Sequence, residues 1–193
     1  MRQEKKFIFQ RNEIAAFERH LIRNGFRCAH LPNYVNNIYL EGKSLESAME
    51  NIEGDSNRVK HRIRWYNDNS DAIVLEAKIK KSSSGYKESN QLKSDDLESA
   101  INEAQILTRK KAIIQNRYFR KYYVKGKIRV TIDSDLSFNL PKHEGFKHFR
   151  DCIVEIKFNT VDMYNSSELM KTFSQLSKFS KYLQGLKAFN LVH

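Results

Sequence analysis

The chain has 193 residues, with 34 lysines and arginines against 23 aspartates and glutamates, a net charge of +11. That length suits one domain over residues 1–193 with a real core, and 40% hydrophobic content fits a globular protein. The cationic excess favours a polyanionic partner, no run reaches the length of a membrane-spanning helix, and the apolar run Phe7-Ile8-Phe9 is too short for a signal peptide, so a cytoplasmic protein without a membrane span is expected.

In chain order, Glu4 to Phe9 reads as a strand. Asn12 is a candidate N-cap for a helix from Glu13 to about Arg23, with Ile14, Phe17, Leu21 and Ile22 as its apolar stripe and Asn24-Gly25 as its stop. Val35 to Leu40 reads as a short strand with Asn37 and Tyr39 on one face. Ser44 caps a short helix through Met49, and Glu53-Gly54-Asp55 is a turn. Arg58 to Tyr66 is a strand, followed by the polar turn cluster Asn67–Asp71 and a strand over Ile73–Lys81. Lys80 to Asn90 is rich in serine and lysine and reads as a loop, either a lid or a plain connector.

Asp95-Asp96 starts a helix through about Lys111 that buries Leu97, Ile101, Ala104 and Leu107 or Thr108. Arg117–Tyr123 and Lys127–Asp133 form a hairpin around Lys125-Gly126. Phe138-Asn139-Leu140-Pro141 leaves the sheet, and Asp151 to Asn159 is a further strand. A last helix runs from Ser166 or Ser167 to Gln184, with Leu169, Phe173, Leu176 and Leu183 as its stripe and Gly185 as its stop. Cys28 and Cys152 have no metal or redox spacing and are expected as free thiols.

Alternate side chains of a strand share a face. Arg58, Lys60, Arg62 and Arg64 therefore stand on one face, against Val59, Ile63 and Trp65, with His61 among them. The pattern recurs. Glu76, Lys78 and Lys80 oppose Leu75, Ala77 and Ile79; Lys127, Arg129, Thr131 and Asp133 oppose Ile128, Val130 and Ile132. Glu155 and Lys157 oppose Val154, Ile156 and Phe158, and Glu4 and Lys6 oppose Phe7 and Phe9. Two arrangements accommodate five such strands: a sheet with a solvated charged face, or a closed antiparallel barrel with a charged lumen and helices over its apolar outside. The second gives the expected α+β fold.

These residues resemble a family. Arg2-x-Glu4-x-Lys6-Phe7, Lys60-x-Arg62-x-Arg64-x-Tyr66, Leu75-Glu76-x-Lys78, Arg129-x-Thr131-Ile132-Asp133, Glu155-x-Lys157 and Phe179-Ser180-Lys181-Tyr182-x-x-Gly185 look like the polyphosphate polymerase domain of the vacuolar transporter chaperone (VTC) complex. That family belongs to the triphosphate tunnel, or CYTH-like, metalloenzymes. The resemblance runs from about Arg2 to Gly185. It implies a closed tunnel, with the C-terminal helix near one end. Lys6, Arg62, Arg64, Lys78 and Arg129 would be its catalytic cations, and Lys60, Arg120, Lys157 and Lys181 would bind substrate. Glu155 would hold Mn²⁺ or Mg²⁺, while Glu4 and Glu76 would either join it or pair with neighbouring lysines. Triphosphatase relatives carry Glu-x-Glu-x-Lys on the first strand, and Arg2 in place of the first glutamate favours the polymerase branch.

The implied activity is transfer of the γ-phosphoryl of ATP to pyrophosphate or to a growing polyphosphate chain. Hydrolysis with water as acceptor, and non-catalytic binding of a polyanion, are the alternatives. Nucleic acid is not expected: aromatics do not interleave with the basic strand face, and no RNP, zinc or helix-turn-helix pattern is present. Walker and Gly-x-Gly-x-x-Gly loops are absent too, and the six histidines show no paired metal spacing.

Overall fold

A computed structural model describes residues 2–81, 84–94, 96–141, 145–160 and 176–192. Ten strands carry it: β1 (Arg2–Phe9), β2 (Arg27–Glu41), β3 (Arg58–Tyr66), β4 (Asn69–Lys81), β5 (Ser84–Gln91), β6 (Lys111–Lys125), β7 (Ile128–Asn139), β8 (Lys147–His148), β9 (Cys152–Asn159) and β10 (Leu176–Ser177). The helices are α1 (Ile14–Arg23), α2 (Glu46–Glu53), α3 (Leu97–Thr108) and α4 (Lys181–Ala188). The hydrogen-bonding order is β10-β1-β9-β7-β6-β2-β3-β4-β5, with β8 beside β7. The fold is α+β and its described strand pairs are antiparallel. The expected closure into a barrel is not shown among the described residues. A barrel needs every strand flanked on both sides, whereas this order ends at β5 and at the two-residue β10.

The chain forms two compact units. The first holds Met1–Asn33, Tyr118–Leu136 and His148–Ser180. Its core is the apolar face of β1, β7 and β9: Phe7, Phe9, Val130, Ile132, Val154, Ile156 and Phe158, covered by Ile14, Phe17 and Leu21 of α1. Phe9 and Phe17 meet with ring centroids 4.9 Å apart. Ile22, expected inside, is 54% exposed, because the stripe Ile14–Phe17–Leu21 already fills the face turned to the sheet. Asn12 is not the cap. A 3-10 turn at Arg11–Glu13 precedes α1, and the Gln10 backbone N–H donates to Glu13 Oε2 at 2.7 Å. The helix stop is as read: Gly25 takes φ +80°, its N–H donates to the Ile22 carbonyl, and that of Phe26 donates to the Leu21 carbonyl.

The second unit holds Tyr34–Arg117, Ser137–Lys147 and Lys181–His193. Ile38, Leu40, Ile63, Trp65, Ile73 and Leu75 form the apolar face of β2, β3 and β4, packed on Ala100 and Ala104 of α3. Asp96 caps α3 by accepting the Ser99 N–H at 2.8 Å. That helix stops at Thr108, before the basic run, and Leu107 is 62% exposed. Ser44 does not cap α2. Its first turn is held by the buried carboxylate of Glu41, which accepts from the Ser47 N–H and Oγ–H.

The loop expected over Lys80–Asn90 is strand β5, paired with β4 from Gln91↔Val74 to Ser84↔Lys81. Its side chains are exposed on both faces, so no hydrophobic alternation marks it. The turn after β3 is confined to Asn67-Asp68, and β7 continues through Asn139, with Phe138 buried. The expected helix from Ser166 or Ser167 falls largely outside the described residues. The part that is described differs: Leu176–Ser177 is β10, paired with Lys6 and Phe7, and α4 begins at Lys181.

Gly185 does not end a helix. It lies inside α4, buried, where an added Cβ would come within 2.8 Å of Phe138 Cδ1 and 2.9 Å of Ile114 Cγ1. The glycine lets α4 approach β6 and β7. Gly185→Ala is therefore expected to lower stability by about 1–3 kcal/mol, read as a lower urea midpoint. An unchanged midpoint would remove this packing argument.

Candidate functional site

Each unit carries a charged strand face opposite its helix-covered apolar face. In the first unit β9 lies between β1 and β7. Cross-strand partners point to the same side. One row is therefore Ser177–Lys6–Glu155–Thr131, and the next is Glu4–Lys157–Arg129. Carboxylates and ammoniums alternate like squares on a board. Lys6 Nζ lies 3.4 Å from Glu4 Oε1 and 4.0 Å from Glu155 Oε2. Lys157 Nζ lies 2.5 Å from Glu155 Oε1 and 3.5 Å from Glu4 Oε2. Lys6 also donates to the Phe179 carbonyl at 3.3 Å.

Glu155 is buried, and across from it the Thr131 hydroxyl is buried with no hydrogen-bond partner among the described residues. Arg120 grips the fully buried Asp133 with two bonds, Nε to Oδ1 at 2.5 Å and Nη2 to Oδ2 at 2.8 Å. Arg129 is exposed and lines a shallow cleft with Lys127, Phe158 and Asn159.

In the second unit the charged face spans β2 to β5. Lys60, Lys78 and Lys87 stand directly opposite one another across β3, β4 and β5. The adjacent rows are Arg58–Lys80 and Arg62–Glu76–Ser89. Glu76, 3% exposed, gathers the cations. Its Oε2 lies 2.6 Å from Arg62 Nη2 and accepts from Arg62 Nε at 2.8 Å. Arg64 Nε is 3.9 Å from the same oxygen, and Lys87 donates to Oε1 at 2.7 Å. Burial alone would raise the Glu76 carboxyl. The charges of Arg62 and Arg64, with the hydrogen bonds from Lys87 and Arg62, outweigh it and hold the pKa at about 2.

Arg64 is also buried, and its Nε donates to Asn37 Oδ1 at 2.8 Å. Asn37 Nδ2 in turn donates to Asn116 Oδ1 at 2.8 Å. At one edge of this face α4 packs through Tyr182, whose ring lies 4.8 Å from Tyr39 and whose hydroxyl donates to Glu41. Lys60 Nζ sits 5.4 Å from the centre of that ring. Burial, then the hydrogen bond to Glu41, raises the Tyr182 phenol well above its ordinary range. Lys181 is the first residue of α4.

The residues chosen from the sequence thus fall into two groups. Lys6, Glu155, Lys157, Arg120 and Arg129, with Glu4, occupy the first unit; Arg62, Arg64, Lys60, Lys78 and Lys181, with Glu76, occupy the second. Lys87, Asn37, Asn116 and Glu41 were not singled out for this face. Lys87 belongs to the strand read as a loop. Asn37 shares its strand face with Tyr39, but a buried asparagine has no spacing that tells it from an exposed one.

Outside these faces, Cys28 is exposed and Cys152 buried, both as free thiols; burial pushes the Cys152 thiol up to about 11. His61 lies on the apolar side of β3, its pKa lowered by burial and by the charge of Lys110. Among the described residues there is no cluster of three or more histidines, cysteines, aspartates and glutamates, and no helix long and apolar enough to cross a membrane.

The family model of the VTC domain matches residues 1–112 and, overlapping these, 97–190. The chain belongs to the VTC domain family. No curated protein matches its sequence. This VTC domain is similar in fold to a conserved hypothetical protein from Pyrococcus furiosus, with a TM-score of 0.63, 14% identity, and coverage of 96% of this chain and 99% of that one. It is also similar to a Vibrio parahaemolyticus protein named as a candidate adenylate cyclase, with TM-score 0.60, 13% identity, and coverage of 96% and 97%. A chain in the Mediator head module of Schizosaccharomyces pombe gives TM-score 0.59, 7% identity, and coverage of 91% and 96%. Identities this low establish the fold alone.

Glu76 sets a pH dependence. Its folded pKa of about 2 lies below the ordinary 4.5. Its stabilisation is therefore complete above about pH 4.5 and is lost as pH falls through about 2. Glu76→Gln is expected to cost on the order of 3 kcal/mol at pH 7, because it leaves Arg62 and Arg64 without their carboxylate. Its stability should then fall less than the wild type's between pH 4.5 and 2, in urea titrations across that range. Parallel pH profiles would contradict the assignment.

Proposed function

We propose that this VTC domain is a metal-dependent polyphosphate polymerase that transfers the γ-phosphoryl of ATP to pyrophosphate or to a growing polyphosphate chain. The observation that carries the reading is the row Lys60–Lys78–Lys87. Like charges directly opposite one another on a sheet are destabilising. Such a row, flanked by Arg58, Lys80, Arg62 and Arg64, suits a ligand that brings repeated negative charge at short spacing. A phosphate chain has that character. The name of the Vibrio relative also associates this fold with ATP chemistry.

The residues present fit a hard divalent ion, Mg²⁺ or Mn²⁺. Such ions take oxygen ligands and complete their shells with water and substrate phosphates. Glu155 and Glu4 supply two carboxylates on one face, and the Thr131 hydroxyl, without a hydrogen-bond partner among the described residues, stands across from Glu155. A bound ion would neutralise charge on the triphosphate oxygens.

The chain's own groups do the rest by charge and position. Arg62 and Arg64 suit forked contacts with phosphate oxygens, and Lys6, Lys60, Lys78 and Lys157 act as point charges. An oxygen of the acceptor phosphate forms the new bond to the γ-phosphorus, the bond to the β–γ bridging oxygen breaks, and ADP leaves with the electron pair. No protein nucleophile is required. Lys181, Arg120 and Arg129 are assigned to binding the chain. Two nitrogens of Arg120 are already held by Asp133, which leaves that residue chiefly a positioning role.

The test uses purified protein with ATP, Mn²⁺ and a trace of pyrophosphate, resolved on a polyacrylamide gel beside a free-phosphate assay. A ladder of chains that needs the metal, and falls to background in Glu155→Ala, is the expected result. Free phosphate without chains would replace the reading with hydrolysis. Neither product would leave a polyanion-binding protein.

A further inference from the structure

Arg64 is oriented by an amide where a carboxylate would also fit. Arginine carries only donors. Its Nε–H therefore fixes which end of the Asn37 side chain faces it, and Oδ1 accepts at 2.8 Å. Asn37 Nδ2 is thereby turned to Asn116, whose Oδ1 accepts at 2.8 Å. The chain ends on Asn116 Nδ2, a buried donor with no partner among the described residues. Asn37 is 0% exposed and Asn116 is 1% exposed, so solvent does not relieve that donor.

An aspartate at position 37 would move this defect without removing it. One oxygen would accept from Arg64. The other would accept from Asn116 once its carboxamide had turned over, which puts the Asn116 oxygen where its unpartnered Nδ2 now stands. The contact with Arg64 would become a full ion pair. Contact with Arg64 alone therefore favours aspartate over the asparagine present.

What the amide preserves is charge. A carboxylate in contact with Arg64 would add one negative charge to a face that already holds Glu76. We propose that Asn37, held in turn by Asn116, is a positioning residue that fixes the Arg64 guanidinium for an incoming phosphate while taking none of its charge. The proposal rests on the reading of Arg64 as a phosphate-binding residue.

The experiment compares wild type, Asn37→Asp and Arg64→Gln by thermal unfolding without phosphate and by calorimetric titration with inorganic tripolyphosphate at several salt concentrations. Asn37→Asp is expected to melt at or above the wild-type temperature. It should bind tripolyphosphate about tenfold or more weakly, a loss of the size that one added charge at contact distance produces, and with a shallower salt dependence. Arg64→Gln should also lose affinity. If Asn37→Asp melts lower, the amide is there for stability and the proposal fails. If it melts normally and binds as the wild type does while Arg64→Gln binds weakly, the proposal fails and the role of Arg64 stands. If Arg64→Gln binds as the wild type does, both fall together.

Discussion

Glu76 is the counter-charge on which the cationic face of the second unit depends. Arg62 and Lys87 each make close contacts with it, Arg64 lies 3.9 Å away, and it is almost wholly buried. Without it, neighbouring strands would bring guanidinium and ammonium groups together with no carboxylate in their midst. With it, the cations are held in fixed directions but outnumber the anion. The face keeps a net positive charge, and that surplus is what a polyanion can use.

The first unit solves the same problem with a different ratio. Glu4 and Glu155 alternate with Lys6 and Lys157, so charge is nearly balanced over those four residues. In the proposed reading, the cation excess of the second unit would serve phosphate oxygens and the two carboxylates of the first would serve a divalent ion. Helices support both faces from behind. α1 and α3 bury the apolar sides of the strands, and α4 packs beside charged-face residues through Tyr182 on Tyr39, with Ala48 of α2 in the same cluster.

The strands that carry chemistry were legible because they are half-buried. Arg58 to Tyr66 alternates cleanly, and β3 has those bounds. Val154 to Phe158 and Ile128 to Ile132 are readable for the same reason. β5 was not, since an edge strand exposed on both sides has no apolar period. Gly185 looked like a helix stop because glycine serves both as a terminator and as a spacer; only the proximity of Phe138 and Ile114 separates the two. The order of strands was not readable as a closed ring or an open sheet, because alternation specifies faces and says nothing of edges. The amide chain behind Arg64 depends on the meeting of Asn37, Arg64 and Asn116, which are far apart in sequence.

The central claim is that the cationic row of β3, β4 and β5 exists for a chain of phosphates. Lys78, in the middle of that row, gives the most direct measurement: thermal unfolding of wild type and Lys78→Ala over a series of tripolyphosphate concentrations. Ligand that binds only the folded state raises the midpoint with its concentration. The account predicts a clear rise for the wild type and a much smaller one for the variant. Equal rises in the two proteins, or none in either, would contradict it.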